Sequence, residues 1–292
     1  MQLYTIETGF FKLDGGAMFG VVPKTLWNRV QPADENNLCT WAMRCLLVED
    51  GERLMLIDTG IGDKQDAKFF SHYYLHGEHS LKGSLAAHGF STDDITDVFL
   101  THLHFDHVGG SVVRKNDRLE PAFKNATYWS NKDHWQHATV PNAREKASFL
   151  KENILPISES GQLRFIDLPE NKTPSERSHI FDEAIPFTEN ISIRLVSGHT
   201  EKMMLPQIRY KNKTILYMAD LLPGVCHLPI PYVMSYDINP LQTLIEKEKM
   251  FAEAMNNEYV LFLEHDPNIA CCTLQQTEKG IREKNTFRLE DI

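Results

Sequence analysis

Residues Thr101–Gly110 read THLHFDHVGG, and this stretch decides the fold. Positions 102 to 107 hold three histidines and one aspartate, and two glycines close the stretch. It follows DVFL at Asp97–Leu100, a short apolar run typical of a buried strand. Loops at strand ends are where a rigid scaffold fixes polar side chains. Because imidazole and carboxylate are good ligands for divalent cations, the pattern predicts a metal site at a strand end.

Three more polar positions follow strand-like runs later in the chain. His199 comes after ISIRLV, Asp220 comes after a run that ends at Met218, and His265 comes after EYVLFL. Such an array of titratable groups is unfavourable when it is buried without a cation to neutralise it. We therefore expect these strand ends to contribute to the same metal centre.

Composition limits the class of protein. The chain has 292 residues and a formal net charge of -10, which gives no electrostatic footprint for nucleic acid. No run approaches the roughly 18 apolar residues that span a bilayer, and the N-terminal sequence lacks a signal-peptide pattern. The five cysteines are scattered without a CxxC pair, so we expect reduced core thiols. These features predict a cytoplasmic protein that binds neither nucleic acid nor membrane.

Alternating apolar strands and helical stretches predict one α/β domain over residues 1–292. Strands are expected at 41–48, 53–58, 97–100, 126–130, 191–196, 206–210, 214–218 and 258–263, with hairpin turns at 50–51 and 211–213. Helices are expected at 80–88, 131–137, 142–153, from Pro240 onward and at 274–285. The polar stretch 169–186 is expected to be an inserted loop.

Four motifs in order, THLHFDHVGG, SGHT, MAD and EHD, resemble those of the metallo-β-lactamase superfamily over most of the chain. The resemblance implies an αβ/βα four-layer sandwich, an α/β fold with two mixed sheets between outer helices. It also implies two divalent metal ions per chain. Their ligands would be His102, His104 and His199 for the first ion, Asp106, His107 and His265 for the second, and Asp220 as the bridge between them. Zinc is favoured, although iron, manganese and cobalt suit the same ligand types.

The same resemblance implies a reaction class. In LIDTG, Asp58 matches a residue that supports the metal-binding loop, a role that fits the general need to orient metal-bound imidazoles. Two cations that share a hydroxide formed at neutral pH would attack an ester, lactone, amide or phosphorus centre. Asp106 would also relay a proton to the leaving group. We therefore predict a metal-dependent hydrolase.

Several substrate classes remain open. A β-lactamase is disfavoured because several secreted zinc β-lactamases carry cysteine where this chain has Asp220. A glyoxalase II-like thioesterase would add a helical domain, for which the stretch after His265 is too short. The net charge of -10 disfavours a nuclease. The motifs are most similar to the branch that holds quorum-quenching N-acyl-homoserine lactonases and organophosphate and aryl-ester hydrolases of the methyl parathion type.

Within that branch we predict a lactonase, with the methyl parathion type and the thioesterase as alternatives. One position departs from the pattern, because many lactonases place a carbonyl-polarising tyrosine where this chain has Pro223. His227 and Tyr236, with Tyr232 as another candidate, are expected to supply the missing donor beside Asp106. An acyl tail needs an apolar groove, and its expected lining is Met18, Phe19, Trp27, Phe69, Phe70 and Tyr73, together with His134.

The remaining expectations concern partners and surface histidines. The substrate is expected to be a small lactone or ester, and the resembling group favours a homodimer. His72, His76 and His79 are spaced three or four apart, and we expect them to lie on a solvated face rather than to bind a third metal ion. His88 and His179 are also expected at the surface.

Overall fold

The structure is a computed structural model that describes residues 1–169 and 184–292. The described residues form eight α-helices: α1 Gly15–Phe19, α2 Lys24–Trp27, α3 Ala67–Ser71, α4 Leu81–Ala87, α5 Phe105–Val108, α6 Lys132–Thr139, α7 Lys151–Glu159 and α8 Pro240–Asn256. They also form fifteen strands: β1 Gln2–Asp14, β2 Leu38–Asp50, β3 Arg53–Ile57, β4 Asp97–Phe99, β5 Val112–Lys115, β6 Arg118–Pro121, β7 Thr127–Ser130, β8 Leu163–Phe165, β9 Ile185–Pro186, β10 Ile191–Val196, β11 Met203–Tyr210, β12 Lys213–Tyr217, β13 Val260–Phe262, β14 Cys271–Thr277 and β15 Gly280–Phe287. His179 and most of the predicted 169–186 loop lie outside the described residues.

The chain divides into two compact units. The first consists of Met1–Phe11 and Ala42–Asp167, and the second of Lys12–Trp41 and Leu168–Ile292. A six-stranded sheet in the order β1-β2-β3-β4-β7-β8 belongs almost entirely to the first unit. A seven-stranded sheet in the order β15-β14-β13-β12-β11-β10-β9 belongs to the second. That the two units act as one domain stays a prediction.

In the first unit, the loops that follow the parallel strands β3 and β4 begin at the same edge of the sheet. Strands β2 and β3 are antiparallel, and Gly51, with a φ of 64°, makes the tight turn between them. Strands β3, β4, β7 and β8 then run parallel. The carboxyl ends of β3 and β4 therefore share an edge, where Asp58 and Thr101 begin their loops. A core of buried apolar side chains, including Leu56, Val98 and Tyr128, holds these strands rigidly.

In the second unit, three histidine or aspartate positions also follow strand ends. His199 follows β10, Asp220 lies in the 3-10 turn Ala219–Leu221 after β12, and His265 follows β13. Strands β12 and β13 are parallel, so their carboxyl ends meet at one edge of the sheet. The loops that carry Asp220 and His265 therefore start side by side.

Local signals predicted three of the helices correctly, α4, α6 and α8. The side chains of Ser80, Asn131 and Asn239 each accept a hydrogen bond from a backbone N–H in the first turn of α4, α6 and α8. Gly89, with a φ of 85°, follows α4 as predicted. All five cysteines, which fall within the described residues, are buried and unpaired with one another. Among the helices that the structure describes, none is long and apolar enough to cross a membrane.

The helix predicted at 142–153 is wrong over its first part, because α7 begins only at Lys151. The Asn142 side-chain oxygen accepts hydrogen bonds from the backbone N–H groups of Arg144 and Glu145, at 2.8 and 3.0 Å. This local bonding gives the backbone an alternative to a helix, a known competition at asparagine.

The helix predicted at 274–285 is also wrong, since the segment forms the antiparallel hairpin of β14 and β15. Its Leu, Gln, Glu, Lys and Arg residues favour a helix only weakly, and pairing with a neighbouring strand overrides that preference. Cys271 and Cys272 of β14 pair with β13, and Gly280 adopts a φ of 93° at the turn. The hairpin thereby extends the second sheet.

Candidate metal centre

In the first unit, the loop between β4 and α5 buries every predicted ligand in THLHFDHVGG. His102, His104, Asp106 and His107 are all buried. The Nε2 atom of His102 lies 3.1 Å from the Nδ1 atom of His104. The imidazole rings of these two residues therefore present one nitrogen each to a common point, as cation ligands do.

Asp58 fixes the orientation of this loop. Its carboxylate accepts hydrogen bonds from the Thr101 backbone N–H at 2.9 Å and from the Thr101 hydroxyl at 2.6 Å. The same carboxylate lies 3.1 Å from His107 Nδ1, so that nitrogen carries the proton and Nε2 keeps its lone pair for a metal. These contacts agree with the supporting role that the resemblance implied for Asp58.

Glu145, which no sequence signal singled out, supports the same loop. Its carboxylate is buried and lies 2.6 Å from His137 Nε2 and 2.6 Å from the Asn142 side-chain amide. The other carboxylate oxygen faces His104 Nε2 at 3.8 Å. The His104 ring is thus held with Nε2 toward Glu145 and Nδ1 toward His102. Glu145 is an isolated acidic residue in the sequence, so spacing could not have revealed it.

His134 also holds the loop from within the first unit. It is buried, and its Nε2 accepts a 2.9 Å hydrogen bond from the backbone N–H of Leu103, which stands between two predicted ligands. An imidazole acceptor therefore fixes the backbone on which His102 and His104 are mounted. The substrate contact predicted for His134 stays a prediction.

In the second unit, the Asp220 carboxylate is divided between two histidines. One oxygen, Oδ2, lies 3.0 Å from His199 Nε2, and the other, Oδ1, lies 2.9 Å from His265 Nε2. All three side chains are buried. A carboxylate that offers one oxygen on each side has the geometry needed to contact two cations at once.

Asp237 completes the surroundings of His199, and sequence reasoning missed it. Its carboxylate lies 2.8 Å from His199 Nδ1 and is buried. Burial lowers the pKa of His199, but Asp220 and Asp237 outweigh this effect and raise that pKa to about 10. The two carboxylates make this position favourable for positive charge, so the donor set fits a divalent cation.

The predicted groove residues fall into two groups. Met18, Phe19 and Trp27 are buried in the second unit, where Phe19 stacks on Trp27 with ring centroids 5.1 Å apart. Phe69, Phe70 and Tyr73, on or next to α3 in the first unit, are partly exposed.

The α3 aromatics lie beside the metal-binding loop. The rings of Phe69 and Tyr73 contact Phe105 of that loop, at centroid distances of 5.5 and 4.7 Å. Burial, with a smaller effect from Asp106, raises the pKa of Tyr73 to about 12, so its hydroxyl stays protonated. All these residues remain predicted, rather than established, substrate contacts.

The two predicted donors have different surroundings. Tyr236 is 37 % exposed, whereas His227 is 1 % exposed. The His227 Nε2 atom lies 2.9 Å from the Met18 carbonyl oxygen, so this nitrogen carries a proton that is already donated. The catalytic role predicted for His227 stays a prediction, although these contacts favour a different role for it.

A sequence model of the metallo-β-lactamase superfamily matches residues 44–251, which is more than half of the chain. The chain belongs to the metallo-β-lactamase superfamily. Its α/β architecture with mixed sheets is the metallo-β-lactamase fold, as the sequence predicted. As a superfamily member it is a metal-dependent hydrolase, and its histidine and aspartate clusters belong to the superfamily's metal site.

Relatives of this superfamily member are distant. An N-acyl homoserine lactonase of Bacillus cereus is 28 % identical over 165 residues, a match that covers 53 % of this chain and 56 % of that protein. The chain therefore matches little more than half the length of this relative.

Solved structures resemble the chain over nearly its whole length. One is described as a probable metal-dependent hydrolase from Staphylococcus aureus, with 25 % identity, a TM-score of 0.85 and coverage of 100 % of this chain and 98 % of that one. Another is AidC, a dizinc quorum-quenching lactonase in complex with a product, with 22 % identity, a TM-score of 0.74 and coverage of 98 % and 95 %.

Proposed function

We propose that this metallo-β-lactamase superfamily member is a dinuclear hydrolase that opens N-acyl-homoserine lactones. The proposal of two metal ions rests on the Asp220 carboxylate. Its Oδ2 atom lies 3.0 Å from His199 Nε2, and its Oδ1 atom lies 2.9 Å from His265 Nε2. A mononuclear site needs only one of these oxygens. The division supports a bridge between two ions, as the family resemblance implied.

In this proposal, zinc is the metal, and seven side chains hold two ions. His102, His104 and His199 would hold the first, Asp106, His107 and His265 would hold the second, and Asp220 would be shared between them. When bound, the ions supply a nucleophile from water at neutral pH and polarise the substrate carbonyl. Asp58 and Asp237 keep the protons of His107 and His199 on the side away from the metal, and the Glu145 carboxylate faces His104 Nε2 at 3.8 Å.

The remaining roles belong to side chains that move protons or hold the substrate. Asp106 passes a proton to the leaving alkoxide. We assign the hydrogen bond to the reacting carbonyl to Tyr236, which is 37 % exposed, because the N–H of His227 already donates to the Met18 carbonyl. The acyl tail is held by apolar side chains, for which we retain Met18, Phe19, Trp27, Phe69, Phe70 and Tyr73, together with His134.

The lactone substrate is supported by similarity to the Bacillus cereus lactonase and by the aromatic α3 cluster next to the metal-binding loop. One observation favours a second candidate, an organophosphate or aryl-ester hydrolase of the methyl parathion type. Pro223 stands where many lactonases have tyrosine, and its carbonyl accepts a 3.2 Å hydrogen bond from the His265 backbone N–H. The position thus supports a metal ligand but offers no hydroxyl to a carbonyl oxygen.

A substrate panel on metal-defined protein separates these candidates. The chain is stripped with a chelator, reloaded separately with zinc, manganese, cobalt or iron, and tested on butanoyl-, hexanoyl- and decanoyl-homoserine lactone, paraoxon and an aryl ester. We expect about two zinc ions per chain and proton release from the lactones in a pH-stat. Turnover of paraoxon without turnover of any lactone would replace the lactonase proposal with the second candidate.

Matched histidine variants control this experiment. His104→Ala removes a buried proposed ligand, whereas His72→Ala removes an exposed histidine outside the proposed site. We expect His104→Ala to lose bound metal and all turnover, and His72→Ala to keep both. Full activity in His104→Ala would contradict the metal assignment.

We also propose the oligomeric state, location and partners of the whole protein. A homodimer is expected from the resembling group, and light scattering during size exclusion would give a mass near twice the 33.6 kDa of one chain. A cytoplasmic location, and the lack of nucleic-acid or membrane binding, are also proposed. The net charge of -10 supports the expectation for nucleic acid.

A further inference from the structure

Lys247 of α8 is a buried lysine surrounded by main-chain carbonyl groups. Its side chain is 1 % exposed, and Nζ donates to the carbonyl oxygens of His227 at 2.7 Å, Tyr232 at 2.9 Å and Pro229 at 3.2 Å. Burial lowers the pKa of this lysine to about 7, and donation to these oxygens offsets its lost hydration. The loop that contains residues 227–232 is therefore wrapped around one amine.

His227 connects this loop to α1. A carbonyl oxygen can only accept, so the 2.9 Å contact with Met18 means that His227 Nε2 carries the ring proton. The other nitrogen, Nδ1, accepts from the Cys226 thiol at 3.3 Å. Both nitrogens of a neutral ring are thus satisfied, and burial keeps that ring neutral by lowering its pKa to about 3. The Met18 backbone is fixed by a side chain of this loop.

Ring stacking and main-chain contacts strengthen the same connection. Phe19 lies between His227 and Trp27, with centroid distances of 4.7 and 5.1 Å and nearly parallel planes. The Ser235 backbone N–H donates to the Ala17 carbonyl at 2.7 Å. A Cβ atom at Gly20 would lie 2.5 Å from the Val233 carbonyl oxygen, so this loop packs directly on the segment Gly15–Gly20. The segment has little freedom to move while the loop keeps its shape.

We infer that Lys247 and His227 are positioning residues that fix the segment Gly15–Gly20 and thereby set the acyl-chain preference of the enzyme. This inference rests on the lactonase proposed above, because that segment carries two of the predicted groove residues. Lys247 acts through this loop and does not touch the substrate, since its buried amine is occupied by the carbonyl oxygens of His227 and Tyr232. A change at Lys247 should therefore alter substrate fit more than the chemical step.

The test compares four variants of the zinc-loaded, full-length chain. Lys247→Met removes the donor, and His227→Leu removes the link to Met18. His227→Gln restores an N–H donor toward that carbonyl, and Lys249→Met is an exposed control on the same helix. Hydrogen–deuterium exchange is followed in peptides that cover residues 15–22. We expect exchange there to rise about tenfold or more in Lys247→Met and His227→Leu, less in His227→Gln, and not in Lys249→Met.

Steady-state kinetics on the same preparations then test whether these residues set the acyl-chain preference. In Lys247→Met, with zinc content unchanged, we expect the ratio of kcat/KM for the decanoyl over the butanoyl lactone to change about tenfold, mainly through KM. An unchanged ratio despite faster exchange would overturn the link to chain preference. If Lys247→Met does not fold, His227→Leu carries the exchange measurement.

Unchanged exchange at residues 15–22 in both Lys247→Met and His227→Leu would overturn the positioning role, whatever the enzyme hydrolyses. If exchange rises in the two variants but the wild-type protein turns over no lactone, the proposed function is refuted and the positioning role remains.

Discussion

At the scale of single residues, three buried carboxylates orient three of the proposed ligands. Asp58 accepts a hydrogen bond from His107 Nδ1, and Asp237 accepts one from His199 Nδ1. Glu145 faces His104 Nε2 at 3.8 Å. Each contact leaves the opposite nitrogen for a metal. Only Asp58 was predicted, since it stands in a motif. Glu145 and Asp237 are isolated in the sequence, and only the folded chain brings each one to its histidine.

Asp237 gives a prediction about metal affinity. Asp237→Ala leaves a buried His199 N–H without its acceptor, so we expect zinc affinity to fall about 10- to 100-fold. Asp237→Asn keeps an acceptor oxygen but loses the charge, and should fall less. Competition with a chromophoric chelator measures the affinity. Asp133→Ala, which removes an exposed aspartate on α6, should bind zinc like the wild type. Wild-type affinity in Asp237→Ala would refute the orienting role.

At the scale of elements, helix caps and tight turns were predicted correctly, whereas the local bonding of Asn142 and the pairing of the last hairpin were not. The Asn239 cap with Pro240 and the Gly51 turn are encoded within a few residues, so α8 and the first hairpin were predicted. The hairpin of β14 and β15 depends on pairing with β13, which lies outside any local window. The metallo-β-lactamase fold and the ligand loops followed from motifs, whereas a division into two compact units was not predicted.

The turn of that last hairpin provides an element-scale prediction. Gly280 has a φ of 93°, and a Cβ atom there would meet no heavy atom closer than 3.9 Å. Any cost of Gly280→Ala therefore comes from the backbone conformation and not from a clash. We expect a loss of about 1 to 2 kcal/mol in the free energy of unfolding, measured with urea.

Lys279→Ala is the matched control, since it changes an exposed neighbour in the same turn. We expect its effect to stay within about 0.5 kcal/mol. Equal stability of Gly280→Ala and the wild type would show that the turn tolerates another backbone conformation.

At the scale of the whole molecule, the proposed ligands are distributed over both compact units. His102, His104, Asp106 and His107 belong to the first unit, while His199, Asp220 and His265 belong to the second. The superfamily match at residues 44–251 also takes in parts of both units. With a net charge of -10, the chain gains favourable charge from each cation that it binds.

Metal removal should therefore lower the stability of the entire chain. Zinc at about 1,000 times its Kd contributes about 4 kcal/mol, which corresponds to a rise in Tm of about 8 to 16 °C for a chain of this size. Differential scanning calorimetry of stripped and reloaded protein measures the shift. His104→Ala, which lacks a proposed ligand, should show a much smaller rise. A wild-type Tm that does not respond to zinc would contradict the proposed centre.

The contacts of Asp58 have a consequence for how this enzyme can change. Because one carboxylate receives the Thr101 backbone, the Thr101 hydroxyl and the His107 ring, substitutions at positions 58, 101 and 107 cannot act independently. Double-mutant cycles among these three positions should show strong epistasis. Evolution of new substrates is therefore expected to leave this trio unchanged and to proceed through the segment Gly15–Gly20 and the loop that holds it.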